Sequence, residues 1–219
     1  MPFLLFGLIA GALADIVDRR KVVIVTPVVM FLSTLLLGTL TSADLGSGLG
    51  GANSIAIYNG IVAIAVEAAV KQDNGSVIFY RASDLTRLTA VTVGALPDML
   101  TFTPDGSRIV VANEGEPNSY GQPTSVDPVG SISVISVPGL TPTATSISPV
   151  VTAITFDSYN TQQDALRAAG VRLFGPGATV AQDLEPEYVT ISPDGRTAFV
   201  TLQENNAVAE VNLVNSTIA

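Results

Sequence analysis

A chain of 219 residues with 10 basic and 19 acidic side chains carries a net charge of −9. All of that charge falls after Asp44, because Asp15, Asp18 and Asp44 balance Arg19, Arg20 and Lys21. So acidic a domain repels phosphate backbones, which argues against nucleic acid and for cations or cationic surfaces as partners. The absence of His and Cys excludes disulfides, thiolate metal sites and any mechanism built on an imidazole base. A metal site would have to be made of oxygen ligands, which suits Ca²⁺ or Mg²⁺.

The first expected element is a hydrophobic, membrane-type segment over residues 1–43. Val22 to Ala43 contains no charged residue and is long enough, at about 20 residues, to cross a bilayer as a helix. Met1 to Ala14 is apolar but short for a complete span, so one or two transmembrane-type helices are expected. The positive-inside tendency holds Arg19, Arg20 and Lys21 in the cytoplasm and sends everything after Asp44 outside. A secretory signal ending at Thr41-Ser42-Ala43 is the competing reading and would leave the rest secreted; a buried soluble helix is the plainest one. The stretch LFGLIAGALADIVDRRKVVIVTPVVMF resembles the second and third transmembrane helices of a major facilitator superfamily transporter. Gly11, Asp15, Asp18, Arg19, Arg20 and Lys21 match that superfamily's cytoplasmic loop motif, and the resemblance implies a part in conformational gating. No later segment is long and apolar enough to supply further spans, so the exporter reading reduces to a fragment with no independent activity.

Residues 44–52 read as a Gly-rich linker. Gly46, Gly48 and Gly51 fit G-x-G-x-x-G, but the dinucleotide fingerprint needs a strand before it and a helix after it. Here a membrane-type segment precedes it and a strand-like run follows.

Residues 53–219 are expected to form an all-β domain, an incomplete β-propeller of about three blades. Three stretches share one pattern, a short strand, a turn and a second strand of small and β-branched residues: ANSIAIYNGIVAIAVEA, LPDMLTFTPDGSRIVVANEGE and EPEYVTISPDGRTAFVTLQEN. Their turns, Asn59-Gly60, Asp105-Gly106 and Asp194-Gly195, are strong hairpin signals. A further strand follows each, at GSVIFYRA, GSISVISV and NAVAEVNLV. Gly60 and Gly106 stand about 46 residues apart, close to the roughly 40–50-residue period of propeller blades. Gly106 and Gly195 stand about twice as far apart, which places an insertion at about 157–183, with one short helix at NTQQDALRAAG capped by Asn160 or Thr161 and ended by Gly170. Closed propellers have about 4–8 blades, so a ring made of this sequence alone is expected to be unfinished.

The hairpin SPDGRTAFVTLQENNAVAEVNL is similar to the surface-layer type propeller repeat, with Phe199-Val200-Thr201 in place of its Tyr-Val-Thr. Over roughly residues 48–219, GALPDMLTFTPDGSRIVVANEGEPNSY, SVDPVGSISVI and AAGVRLFGPGATVAQDLEPEYVTISPDGRTAFVTLQENNAVAEVNL resemble the choice-of-anchor I family. The resemblance implies an extracellular bacterial propeller, related to a mesenchyme-specific cell-surface glycoprotein of biomineralisation and carrying varied C-terminal anchors. Some members bear alkaline-phosphatase-like labels.

Three acidic clusters are candidate cation ligands: Glu114 and Glu116 in NEGEPN, Asp183, Glu185 and Glu187 in QDLEPE, and Glu204 in QENN. Glu67, Glu114 and Glu204 follow the second strand of their units and would share one end of the blades. Convergent carboxylates and amides would bind Ca²⁺ through oxygen or meet a cationic or mineral surface; the plainer reading makes them solvated loop residues. Two functions follow: an extracytoplasmic, cell-surface binding or structural module, or a Ca²⁺-dependent phosphoesterase or lactonase-like hydrolase using paired carboxylates. No catalytic residue can be named, because Arg81, Arg87, Arg108, Arg172 and Arg196 have no spacing that ties them to the acids.

Overall fold

The computed structural model describes residues 48–219. The membrane-type segment of residues 1–43 and the loop motif Gly11, Asp15, Asp18, Arg19, Arg20 and Lys21 lie outside the described residues. Among those described, no helix is long and apolar enough to cross a membrane.

Among the described residues, twelve strands form three four-stranded antiparallel sheets, each a contiguous meander. Blade one is β1 (Leu49–Tyr58), β2 (Ile61–Ala68), β3 (Asn74–Arg81) and β4 (Arg87–Ala95). Blade two is β5 (Pro97–Phe102), β6 (Arg108–Asn113), β7 (Ser131–Ser136) and β8 (Val150–Thr155). Blade three is β9 (Tyr188–Ile191), β10 (Thr197–Leu202), β11 (Ala207–Asn212) and β12 (Thr217–Ile218). The first strands of successive blades approach one another, β1 to β5 and β5 to β9. This is the arrangement of propeller blades around their inner strands.

Strand periodicity explains how the blades stack. Successive side chains point to opposite sides of a sheet, so β6 sends Ile109 and Val111 into one core and Val110 and Ala112 into another. The first core is shared with Ile61, Ala63, Ala65, Val77 and Phe79 of blade one. The second is shared with Val189, Ala198, Val200 and Leu202 of blade three. Blade two is therefore a slab between two cores. Arg108 ties it further to blade three by donating from Nη1 to the Leu213 carbonyl.

The turns are of two kinds. Asn59 (φ 44°) and Gly60 (φ 75°) are both left-handed and join Tyr58 to Ile61 as a two-residue turn. The Pro-Asp-Gly turns are longer, and only their glycines, Gly106 (φ 68°) and Gly195 (φ 69°), are left-handed. Their aspartates brace the loop instead: Asp105 Oδ1 accepts from the Ser107 amide at 3.0 Å and Asp194 Oδ1 from the Arg196 amide at 3.1 Å.

Two expectations need correction. The linker over 44–52 gives way to strand from Leu49 onward, with Leu49 opposite Ala68 and Ala52 opposite Val66. A Cβ at Gly50 would lie 2.7 Å from the Ala68 carbonyl oxygen, so this glycine serves close strand approach rather than linker flexibility. The helix expected around NTQQDALRAAG is a 3-10 turn, Asp157–Gln162, running into a short α1, Gln163–Ala168. Neither has a side-chain cap. Asn160 accepts instead from the Ala181 amide at 2.9 Å, holding the 3-10 turn against a second short helix, α2 (Val180–Asp183).

Candidate functional site

In each meander the start of the first strand, the end of the second and the start of the third lie at the same end of the sheet. Pro97, Asn113 and Ser131 are paired in this way in blade two, and Tyr188 pairs with Thr201 in blade three. The acidic clusters are attached at this end. Glu114 and Glu116 leave β6, Glu185 and Glu187 lead into β9, and Glu204 sits in the turn from β10 to β11. Asp98, just inside β5, joins them.

Backbone contacts fix these loops. The Glu114 amide donates to the Leu96 carbonyl at 2.9 Å, which pins the exit from β6 to the tight link between β4 and β5. At the far end of the β6–β7 loop, the Gly130 amide donates to the Ala181 carbonyl at 2.9 Å. A Cβ there would run into the Leu184 carbonyl oxygen, so only glycine permits this approach. Helix α2 starts with a capping box between Thr179 and Gln182, and Gln182 Nε2 also reaches across to the Asp127 carbonyl at 2.8 Å. Buried Asn205 clamps blade three to the insertion. It accepts from the Glu185 amide at 3.0 Å, donates to the Arg172 carbonyl at 3.0 Å and donates to the Asp183 carbonyl. Asn113 likewise uses its amide group structurally, donating to Ser133 Oγ at 2.9 Å and to Ser131. These two asparagines stand in the acidic motifs but act as braces.

The carboxylates perturb one another strongly. Burial pushes Glu114 up to about 8, helped by the charges of Glu116, Asp98, Glu185 and Glu187. Burial also pushes Glu185 up to about 7, helped by Glu204 and Glu116; the Tyr120 hydroxyl, donating to Glu185 Oε1 at 3.4 Å, pulls the other way. Glu187 and Asp98 are raised chiefly by burial. Tyr120 in turn is raised to about 12 by burial and by Glu185.

Among the described residues no basic side chain pairs with these carboxylates. Among the described residues the ion pairs are Lys71 with Glu67 at 3.9 Å and Arg81 with Asp84 at 2.7 Å. Arg172 lies over the Phe174 ring at 4.6 Å. Glu67 does not join the cluster, although the repeat aligns it with Glu114 and Glu204. Its Oε2 is the atom that meets Lys71 and its Oε1 accepts from the Gly51 amide at 3.2 Å.

The structure thus brings together Glu114, Glu116, Glu185, Glu187 and Glu204, adds Asp98, and places Asp183 behind them. Asp183 is buried and its Oδ1 accepts from the Gly175 amide at 2.9 Å. Sequence reading missed Asp98, Asp127 and Tyr120. Asp98 had a signal, since Pro97-Asp98 and Glu187-Tyr188 open equivalent inner strands. Among the described residues no three acidic side chains sit in a geometry that would close around a metal ion. The cluster is a convergence of like charges rather than a finished coordination shell.

A solved propeller agrees with the architecture. The β-propeller domain of Cps50 (Swd1) from Myceliophteria thermophila matches with a TM-score of 0.51 at 11% identity, over 81% of this chain and 42% of that one. Hydrazine synthase from Kuenenia stuttgartiensis matches at 0.45 and 14% identity, over 73% and 39%. The chain spans about two-fifths of the length of each, and at these identities the likeness concerns the fold alone. No curated protein matches the chain. The resemblance of residues 1–43 to a transporter finds no support; a family model takes in residues from 17 onward, including most of that stretch. That model, the choice-of-anchor I domain, matches residues 17–219, and the chain belongs to this family.

Proposed function

We propose that these blades belong to a cell-surface propeller module whose acidic end docks a cationic ligand. Family membership and the propeller fold fit such a module. The observation that carries the docking reading is the gathering of Glu114, Glu116, Glu185, Glu187, Glu204 and Asp98 at one end of blades two and three, with neither ion pair of the described residues among them. Unpaired, partly buried carboxylates repel one another, and a bound cation relieves that repulsion. Divalent cations would compete with a basic peptide for the same charge.

Calorimetric titration of a lysine-rich peptide, with EDTA present, tests this. Binding should strengthen from pH 5 to pH 8 as Glu185 and then Glu114 ionise, and weaken with added NaCl. A chain that binds the peptide no better than its E114Q/E116Q/E187Q/E204Q variant does not dock cations at this end.

A second reading rests on Glu114 and Glu185, whose values of about 8 and about 7 suit proton transfer near neutral pH. It is the hydrolase reading. Turnover of a generic phosphoester by the full chain, dependent on calcium and lost in E114Q or E185Q, would establish it.

A further inference from the structure

Behind the acidic end, a buried carboxylate, Asp183, and a half-buried one, Asp127, stand where the insertion meets the β6–β7 loop. Asp183 is only 4% exposed, and its Oδ2 is buried with no hydrogen-bond partner. Asp127 Oδ1 is also buried without a partner. Gln182, next to Asp183 in the chain, donates to the Asp127 carbonyl at 2.8 Å and so keeps the two side chains neighbours, and the charge of Asp183 adds to burial in raising Asp127. Neither belongs to an ion pair of the described residues. Idle buried oxygens on two neighbouring carboxylates call for a proton, water or a bound cation.

The surroundings favour the cation. A cavity of about 210 Å³ opens beside Asp127, lined among others by Ser119, Tyr120, Ser125 and Gln182. It has room for several waters, which would complete a shell that two carboxylates cannot fill alone. Every donor available is oxygen or amide, since the chain has no His and no Cys. A hard cation with irregular oxygen coordination fits that set. The two segments are already drawn together by the hydrogen bonds from Gly130 to Ala181 and from Gln182 to Asp127.

We propose that Asp127 and Asp183 hold a calcium ion that clips the β6–β7 loop to the insertion. This goes beyond the docking reading and does not depend on it. With two protein carboxylates the affinity belongs to the weak range of extracellular calcium modules, about 10⁻⁴–10⁻³ M.

Terbium titration of the full chain carrying E114Q/E116Q/E187Q/E204Q, which removes cation binding at the acidic end, tests the clip, because Tyr120 lines the cavity and would sensitise terbium emission. Excitation of tyrosine should give emission that calcium chloride displaces. In that background D127N and D183N should each weaken terbium binding at least tenfold, while E210Q, on the exposed side of β11, leaves it unchanged. Calcium should also raise the Tm of that chain over its value in EDTA, and of neither Asp variant made in it. Terbium binding that survives both Asp substitutions would overturn the proposal. So would a Tm indifferent to calcium but raised by D127N, which would mean a shared proton. Failure of the lysine-rich peptide to bind in EDTA would sink the docking reading and leave this result standing.

Discussion

Blades two and three have the same four-stranded meander but bury it differently. In blade two, Ile109, Val110, Val111 and Ala112 are all fully buried, because each side of β6 meets a different core. In blade three, Ala198, Val200 and Leu202 are buried on one side, while Tyr188 and Val208 are each 60% exposed on the other. The sequences carry the difference: RIVVAN reads as a continuous apolar run, whereas TAFVTL and AVAEVN alternate. A run buried on both sides marks a blade between neighbours, and alternation marks a blade covered on one side. Repeats that align residue for residue therefore need not share an environment.

The sharpest way to break this comparison is to empty the slab. Ile132→Ala removes a fully buried side chain from the core between blades two and three and should cost about 2–5 kcal/mol, read as a lower urea midpoint with unchanged slope. Gly130→Ala probes the join between blade two and the insertion, where the new Cβ meets the Leu184 carbonyl. It should cost about 1–3 kcal/mol and speed proteolysis within residues 114–130. At the other extreme, Val208→Thr on the exposed side of β11 should stay within about 0.5 kcal/mol. A large loss there would show that this side is covered in solution, and the contrast between the blades would fail.

The pH response sharpens the comparison at the acidic end. Glu114 and Glu185 have folded-state values of about 8 and about 7, above the ordinary glutamate value near 4.3. Both are therefore protonated more readily in the folded chain. Their contribution is fully present below the unfolded value and is lost as pH rises through 7 and 8. The Tm in EDTA should fall between pH 5 and pH 8, and E114Q should flatten that fall. A Tm that instead rises over this window would show that the carboxylates are held by an unseen cation or base.

Much of the blade plan was legible because turns and burial leave local marks. Asn59-Gly60, Asp105-Gly106 and Asp194-Gly195 announce the first hairpin of each blade, and the third strands follow as apolar runs. The fourth strands, β4, β8 and β12, were not read. β8 (VVTAIT) follows a Pro-, Thr- and Ser-rich stretch and buries little beyond Ile154, and β12 is two residues long. The acidic clusters were legible as composition, but their roles were set by partners far off in the chain. Glu67 left the set through Lys71 and Gly51, and Asn205 became a brace through Glu185 and Arg172. Asp127 gave no warning, since an aspartate before Pro in a polar loop looks like turn chemistry.

The contiguous meander has a consequence for synthesis. Each sheet draws all its strands from one uninterrupted stretch, so a blade can close its ladders as soon as it leaves the ribosome. Its cores cannot close so early: Ile61, Ala63, Ala65, Val77 and Phe79 of blade one find their shared core only when Ile109, Val111 and Ile135 of blade two emerge. Translation therefore passes through an interval in which a finished sheet carries an uncovered greasy side. At roughly 5–20 residues per second, that interval lasts seconds, long enough for a chaperone to cover it.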